Sequence, residues 1–142
     1  MIGYDRYSPV FADERLLRLI DAAGKPILCG EFSFPATYRG MRGFRVYASA
    51  NAPDDAASGE MYASYLDAAV KNRYCVGTLW FTWRDQALTG RGPGHGERVV
   101  YGEHYAFGVV DTCDRPKWEL VSRMREANLT AAARRQAMMN GR

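Results

Sequence analysis

Two short segments with the character of buried strands alternate along this chain with three segments of helical periodicity, and this alternation restricts the fold more than any other feature. Residues 26–30 are continuously apolar, and residues 74–83 are rich in aromatic and β-branched side chains. Helical periodicity is found at residues 13–24, at residues 59–72 and from about Pro116 onward. Helices that alternate with buried strands call for a parallel sheet with crossover connections, so the predicted fold class is α/β.

Side chains at the segment ends predict where the elements begin and end. Asp13 is the predicted cap of the first helix, and Gly24 supplies its left-handed exit. Ser58 is the predicted cap of the second helix. Residues 1–7 are predicted to be the end of one more strand, and residues 129–142 a frayed helical tail. We find no linker, so residues 1–142 are expected to form a single domain.

Composition excludes several partners. The net charge of +3 comes from scattered basic residues without a stripe that could follow phosphates, so nucleic acid is not an expected partner. No apolar run approaches the roughly 20 residues that span a membrane, and the first residues lack the basic and apolar regions expected of a signal peptide. The three cysteines and two histidines lack zinc-ligand spacing, so neither a metal nor a cofactor is predicted. The cysteines are expected to be buried, reduced thiols, and the sequence does not indicate a cellular localisation.

Loop lengths indicate where function lies. The connections after the two predicted strands are long, whereas those before them are short. Both a (β/α)8 barrel and an open doubly wound sheet place their functional residues at the carboxyl ends of the strands. This asymmetry therefore fits both architectures, and it directs attention to the residues that follow each strand.

Glu31 follows the first buried strand directly and is the candidate catalytic residue. Retaining glycosidases need two carboxyl groups about 5–5.5 Å apart, and Glu31 could serve as one of them. The alternative is a structural ion pair between Glu31 and an arginine. The nearby Cys29 and Ser33 are poor nucleophile candidates, because Cys29 lies inside an apolar run and Ser33 lacks the G-x-S-x-G elbow.

Aromatic and polar residues at the end of the second strand are candidate sugar-binding groups. Trp80 could stack on a sugar or belong to the core, and alternation places Trp80 and Trp83 on opposite faces. Arg84, Asp85 and Gln86 could bind sugar hydroxyls or stabilise the loop, with Asp85 capping backbone amides. Four tyrosines could supply aromatic surface or a hydroxyl near Glu31, or simply pack: Tyr4, Tyr7, Tyr38 and Tyr47. The glycine-rich loop at residues 90–96 matches no phosphate-binding pattern.

Three segments in this order resemble clan-A (β/α)8-barrel glycoside hydrolases. Residues 25–32 (KPILCGEF) resemble the seventh-strand motif, in which the glutamate is the nucleophile. Residues 76–92 (VGTLWFTWRDQALTGRG) resemble the eighth strand and its loop in β-agarase-like and β-galactosidase-like members. Residues 107–111 (FGVVD) and 114–117 (DRPK) resemble the segment that leads into the eighth helix.

The resemblance implies a C-terminal part of a TIM barrel, approximately strands 6–8 and helices 6–8, from a retaining enzyme acting on β-linked galactose-type polysaccharides. By the same resemblance Glu31 is the nucleophile, Trp80 lines the subsite of the cleaved sugar, and Asp85 and Gln86 line the same pocket.

The chain departs from the family pattern in one important respect. The family's acid/base glutamate follows an asparagine after the fourth strand, and no Asn-Glu pair occurs here. A complete barrel takes about 250 residues, against 142 in this chain. We therefore expect the chain alone to be inactive on ordinary glycosides, whose cleavage needs this proton donor, and to associate with an N-terminal barrel portion or with copies of itself. The alternative from another class is a non-catalytic carbohydrate-binding or self-associating α/β module.

Overall fold

The computed structural model describes residues 1–38, 43–47, 50–90 and 102–140. The elements follow the order β1 (Ile2–Asp5), α1 (Glu14–Ala23), β2 (Ile27–Phe32), α2 (Asp55–Lys71), β3 (Cys75–Trp80) and α3 (Trp118–Asn140). The strands form one parallel sheet in the order β1-β2-β3. The predicted α/β class is confirmed, and so is the additional strand within residues 1–7.

The register of the sheet separates a helix-covered face from an open one. Tyr4 and Cys29 are partners in adjacent strands, and both belong to the core beneath the helices. The neighbouring row, Gly3 with Leu28 and Leu28 with Gly77, faces the opposite side. Leu79 shares that side with Gly77 by alternation and is 54% exposed. The helices therefore cover one face of the sheet and leave the other open.

Aromatic rings fill the space between the sheet and α2. The rings of Phe32 and Tyr65 stack with centroids 4.3 Å apart, and Phe11 and Phe34 meet Tyr65 edge-on. Such pairs contribute about 0.5–1.5 kcal/mol each beyond the burial of their surface. This cluster fixes the carboxyl end of β2, where Glu31 lies.

The caps of α1 are as predicted, whereas α2 begins earlier than predicted. The Asp13 carboxylate accepts a hydrogen bond from the Leu16 amide, and Gly24 ends α1 at φ 58°. The predicted start of α2 at residue 59 is wrong, because Asp54 is the cap and accepts from the Ala57 amide. Ser58 lies inside the first turn instead, where its buried hydroxyl donates to the Phe34 carbonyl.

The strand predicted at residues 74–83 corresponds to β3, which ends at Trp80 rather than at Trp83. Beyond Trp80 the chain leaves the sheet and pairs with the segment that precedes α3. The amide of Thr82 donates to the Phe107 carbonyl, and the amide of Asp85 donates to the Val110 carbonyl. This pairing brings residues 105–110 to the carboxyl end of the strands.

The segment predicted to be a frayed helical tail, residues 129–142, is helical as far as Asn140, and residues 141–142 lie outside the described residues. Two arginines near the C-terminal end of α3 bind α2 and the residues that follow it. Arg134 pairs with Asp67 at 2.6 Å, and the Arg135 guanidinium donates to the carbonyls of Val70, Asn72 and Arg73. Those carbonyls lie at the end of α2, where the helix leaves its acceptors without partners of its own. Along the described residues, none of the helices combines the length and apolar character that crossing a bilayer requires.

The buried phenol of Tyr65 predicts a loss of stability in alkali. Burial, followed by the contact with the Cys29 thiol, raises the pKa of Tyr65 above its ordinary value of 10. Above pH 10 the unfolded chain releases this proton while the folded chain retains it, so stability falls as the pH rises. We expect this one group to lower the free energy of unfolding by up to about 1.4 kcal/mol per pH unit between pH 10 and 11.5.

Urea denaturation at a series of pH values measures this slope. The Tyr65→Phe variant is less stable at neutral pH because it loses the hydroxyl contact, but its stability declines less steeply above pH 10. Equal slopes for the variant and the parent chain would contradict the assignment.

Candidate active site

Glu31 lies at the carboxyl end of β2 with a half-buried side chain. The hydroxyl of Tyr7, which follows β1, donates to Glu31 Oε2 at 2.9 Å. Burial, and then this hydrogen bond, raise the pKa of Tyr7, so its phenol stays protonated through the neutral range. The alternative of an arginine ion pair finds no support within the described ranges, where the ion pairs of arginines do not include Glu31.

The four tyrosines considered from the sequence lie in different environments. Tyr7 reaches Glu31 with its hydroxyl, and the Tyr47 ring lies 5.2 Å from the Tyr7 ring. Tyr4 packs in the core against Phe11. The Tyr38 hydroxyl donates to Asp55 at 2.6 Å, away from Glu31.

A continuous group of aromatic rings adjoins Glu31 through Tyr7. We call it the aromatic wall, and its members are Tyr7, Tyr47, Phe81, Tyr105 and Phe107. Phe107 is central, with ring centroids 5.8 Å from Tyr7, 5.3 Å from Tyr47, 5.5 Å from Phe81 and 5.0 Å from Tyr105. The wall gives the half-buried carboxylate an apolar, aromatic neighbourhood.

Sequence reasoning did not identify Phe81, Tyr105 or Phe107 as site residues. Phe81 had a signal, since alternation placed it on the face opposite Trp80. Tyr105 and Phe107 had none, because they reach the site through the pairing of residues 81–85 with residues 105–110.

Trp80 packs on the helix-covered face of the sheet. Its ring meets Phe32, Phe34 and Tyr62 edge-on, at centroid distances of 5.5, 6.0 and 5.7 Å. Its indole N–H donates to the Phe107 carbonyl at 2.8 Å. Trp80 therefore joins the core to the backbone of the aromatic wall, while Phe81 is the β3-end residue whose ring contacts Tyr7, at 6.4 Å.

Asp85 forms a buried ion pair. Its side chain is 1% exposed, and its Oδ1 accepts from Lys117 Nζ at 2.6 Å and from the Gly108 amide at 2.8 Å. Burial raises the pKa of Asp85, and the positive charge of Lys117 and the amide of Gly108 oppose this shift. Lys117 also donates to the Ala106 carbonyl at 3.1 Å. The pair thus fixes the segment that carries Phe107.

Gln86 forms two further hydrogen bonds with the segment that carries Phe107. Its Oε1 accepts from the Tyr105 amide at 2.8 Å, and its Nε2 donates to Glu103 at 3.0 Å. Arg84 is exposed and pairs with Asp114 at 3.3 Å, and Trp83 is 71% exposed. The structure brings together Glu31, Tyr7 and the wall, and it gives Asp85 and Gln86 partners that position the wall.

The remaining candidates occupy other positions. Cys29 is buried with its Sγ 3.2 Å from the Tyr65 hydroxyl, and burial raises the pKa of its thiol, which disfavours the thiolate. Cys75 is buried and Cys113 is exposed. Within the described ranges no group of three or more side chains is arranged to hold a metal ion. Residues 91–96 of the glycine-rich loop, including His95, lie outside the described residues.

The sequence matches no family model. Among curated proteins, it is 32% identical over 104 residues to β-agarase B of Vibrio sp. (strain JT0107), covering 73% of this chain and 10% of that protein. It is 30% identical over 132 residues to β-agarase A of the same strain, covering 90% of this chain and 12% of that protein. The chain thus spans about a tenth of the length of these relatives.

A solved structure extends the similarity to three dimensions. An exo-β-agarase superposes with a TM-score of 0.78 at 30% identity, over 94% of this chain and 16% of that one. The homologues of this chain are therefore β-agarases, which are glycoside hydrolases, and its α/β unit corresponds to a part of a much larger glycoside hydrolase chain.

Proposed function

We propose that this chain forms the strand 6–8 segment of a (β/α)8 barrel in a retaining, β-agarase-like glycoside hydrolase. Its β1, β2 and β3 would be barrel strands six, seven and eight, with α1, α2 and α3 as the outer helices. The two faces of the sheet support this proposal, since one is covered by helices and the other is open. In a barrel the helices cover the outer face of the strands, and side chains on the inner face pack against those of the other strands.

The observation that carries the proposal is the hydrogen bond from Tyr7 to Glu31 beside the aromatic wall. A carboxylate at the carboxyl end of a parallel strand, as Glu31 is in β2, lies where barrel enzymes perform their chemistry. The adjoining rings can pack against the apolar C–H face of a sugar. The names of the relatives suggest a β-linked galactan as the substrate, with agarose as the first one to test.

In the proposed reaction a Glu31 oxygen forms a bond to the anomeric carbon while the glycosidic C–O bond breaks. The departing oxygen takes its proton from an acid supplied by another part of the barrel. Water then attacks the glycosyl-enzyme ester, giving up a proton to the same group and releasing Glu31 as carboxylate. Tyr7 holds the nucleophilic carboxylate in position, and Asp85, Lys117 and Gln86 hold the wall.

The acid/base group is proposed to come from polypeptide outside these 142 residues. The chain has no Asn-Glu pair, and the relatives extend far beyond the matched region. Aryl galactosides with a good leaving group need little protonation when the glycosidic bond breaks. They are therefore the substrates with which the contribution of Glu31 can be measured in this chain.

Tyr7→Phe tests the positioning of Glu31. We expect the rate on a dinitrophenyl β-galactoside to fall by roughly 10- to 100-fold with little change in KM, because a hydrogen bond to a charged group contributes about 1.5–3 kcal/mol. Tyr47→Phe is the matched control, since it removes a hydroxyl from the same wall and keeps the ring. Equal rates for the Tyr7→Phe variant and the parent chain would contradict the role of Tyr7.

The second candidate is a self-associating carbohydrate-binding module, and the open sheet favours it. Among the described residues β1 and β3 each pair only with β2, which leaves one edge of each strand unpaired there, and Ile2, Val76 and Leu79 are 41%, 60% and 54% exposed. Unpaired edges and exposed apolar surface promote association. Size-exclusion chromatography with light scattering distinguishes the candidates. A discrete oligomer that binds galactan oligosaccharides but cleaves no aryl galactoside would favour the module.

A further inference from the structure

A cavity lies apart from Glu31, between the start of α2, the loop after β3 and the start of α3. Its volume of about 530 Å³ lies within the range of roughly 300–1,000 Å³ found for small-molecule sites. It shares no lining residue with the aromatic wall and does not include Glu31. Its walls combine the apolar side chains of Phe44, Leu88 and Trp118 with the carboxylates of Asp55 and Asp85.

Asp85 presents an unsatisfied acceptor at this cavity. The Oδ1 atom is occupied by Lys117 and by the Gly108 amide. The Oδ2 atom is buried and has no hydrogen-bond partner among the described residues, although Asp85 lines the cavity. Buried polar atoms are normally satisfied, so an oxygen in this state indicates a missing hydrogen-bond donor.

Trp118 supplies an aromatic surface to the same cavity. It is the first residue of α3, it is 69% exposed, and it lines the same cavity. Asp55 adds a second carboxylate, whose Oδ1 accepts from Tyr38. An exposed indole next to carboxylate acceptors suits a sugar, because the C–H face of the ring packs on the aromatic surface while hydroxyls donate to the oxygens.

The charges of the cavity disfavour an anion. Two basic side chains are found among its described lining residues, and both are already paired, Lys117 with Asp85 and Arg115 with Asp111 at 3.0 Å. Glu119 and Asp55 add further negative charge to the lining. A neutral hydroxylated ligand donates hydrogen bonds to these acceptors without carrying a charge into the cavity.

We propose that this cavity is a second saccharide site, in which a neutral sugar packs on Trp118 and donates a hydroxyl hydrogen bond to Asp85 Oδ2. The inference rests on the cavity and does not depend on catalysis by Glu31. A site of this kind would hold a polysaccharide chain at a distance from the cleavage point.

Fluorine NMR of the chain labelled with 5-fluorotryptophan tests the proposal. The chain contains three tryptophans, Trp80, Trp83 and Trp118, and single Trp→Phe variants assign their signals. Titration with an agarose-derived tetrasaccharide is expected to give a saturable shift of the Trp118 signal. Trp83 is 71% exposed and lies outside the cavity lining, so its signal serves as the internal control.

Calorimetry on matched variants supplies the second measurement. Trp118→Ala is expected to weaken binding of the tetrasaccharide at this site about tenfold or more, which corresponds to about 1.4 kcal/mol. Trp83→Ala should leave it unchanged. Because Trp118 is exposed, its removal should not prevent folding. Glu31→Gln should leave the Trp118 titration unaltered, which separates this site from the proposed active site.

Three outcomes would overturn the proposal. A Trp118 signal that stays unmoved at the highest soluble tetrasaccharide concentration would show that the cavity binds no sugar. Equal, non-saturating shifts of Trp83 and Trp118 would show non-specific contact. A saturable Trp118 shift with choline but not with sugar would show that the ring and carboxylates form a cation site instead.

Discussion

Replacement of Glu31 by glutamine is expected to reduce hydrolysis of a dinitrophenyl β-galactoside by about 10⁴-fold or more while sugar binding is largely kept, since loss of a nucleophile costs rates of this order. The amide has nearly the shape of the carboxylate and can still accept from the Tyr7 hydroxyl, so folding should be unaffected. The amide oxygen is, however, too weak a nucleophile to form the glycosyl-enzyme bond.

A control and a rescue sharpen this test. Glu14→Gln changes a carboxylate whose side chain is 90% exposed on α1, and it should leave the rate unchanged. Glu31→Ala should regain activity with added azide, which enters the space of the lost carboxylate and attacks the anomeric carbon to give the α-glycosyl azide. Hydrolysis by Glu31→Gln at the parent rate would contradict the nucleophile assignment.

Replacement of Lys117 by methionine is expected to lower the free energy of unfolding by about 3–5 kcal/mol, because it leaves the Asp85 carboxylate buried without its cation. Methionine keeps most of the side-chain volume, so the effect reports the lost charge rather than a cavity. Chemical denaturation of the variant and the parent chain measures it. Combining the change with Asp85→Asn should restore part of the loss, since the asparagine carries no uncompensated charge.

Lys71→Met is the matched control for this prediction. Lys71 also pairs with an aspartate, Asp67, at 2.6 Å, but its side chain is 71% exposed. Exposed ion pairs contribute about 0–1 kcal/mol to stability, so Lys71→Met should change the free energy of unfolding little. Equal destabilisation by the two substitutions would show that the burial of the Asp85–Lys117 pair has no energetic consequence.

The parts of the fold that the sequence predicts well are those that depend on neighbouring residues. Asp13 and Gly24 cap α1 as expected because caps act within one helical turn. The start of α2 was missed because Asp54 and Ser58 are both good cap residues, and the contact that buries Ser58 comes from Phe34, 24 residues away. The end of β3 was missed because its pairing partner lies in residues 107–110.

The same distinction applies to the site. The position of Glu31 at the carboxyl end of a strand could be predicted because it directly follows an apolar run, and Tyr7, which donates to it, was among the tyrosines considered for a contact with it. Alternation separated Trp80 from Phe81 but could not tell which of them shares a face with Glu31. That depends on the irregular register between Cys29 and Phe32, which shifts the end of β2 relative to β3. The partners of Asp85 and Gln86 are also distant in sequence, since Lys117 lies 32 residues from Asp85 and Tyr105 lies 19 residues from Gln86.

Covalent trapping tests the central claim most directly. A 2-deoxy-2-fluoro-β-galactosyl fluoride carries a leaving group that needs no acid, and its fluorine at carbon 2 slows the second step, so the glycosyl-enzyme ester should accumulate. Peptide mass spectrometry of the labelled chain is predicted to find the fluorosugar on Glu31, with no label in Glu31→Gln. A folded chain that gains no label, or that carries it on another residue, would contradict the assignment of Glu31 as the nucleophile.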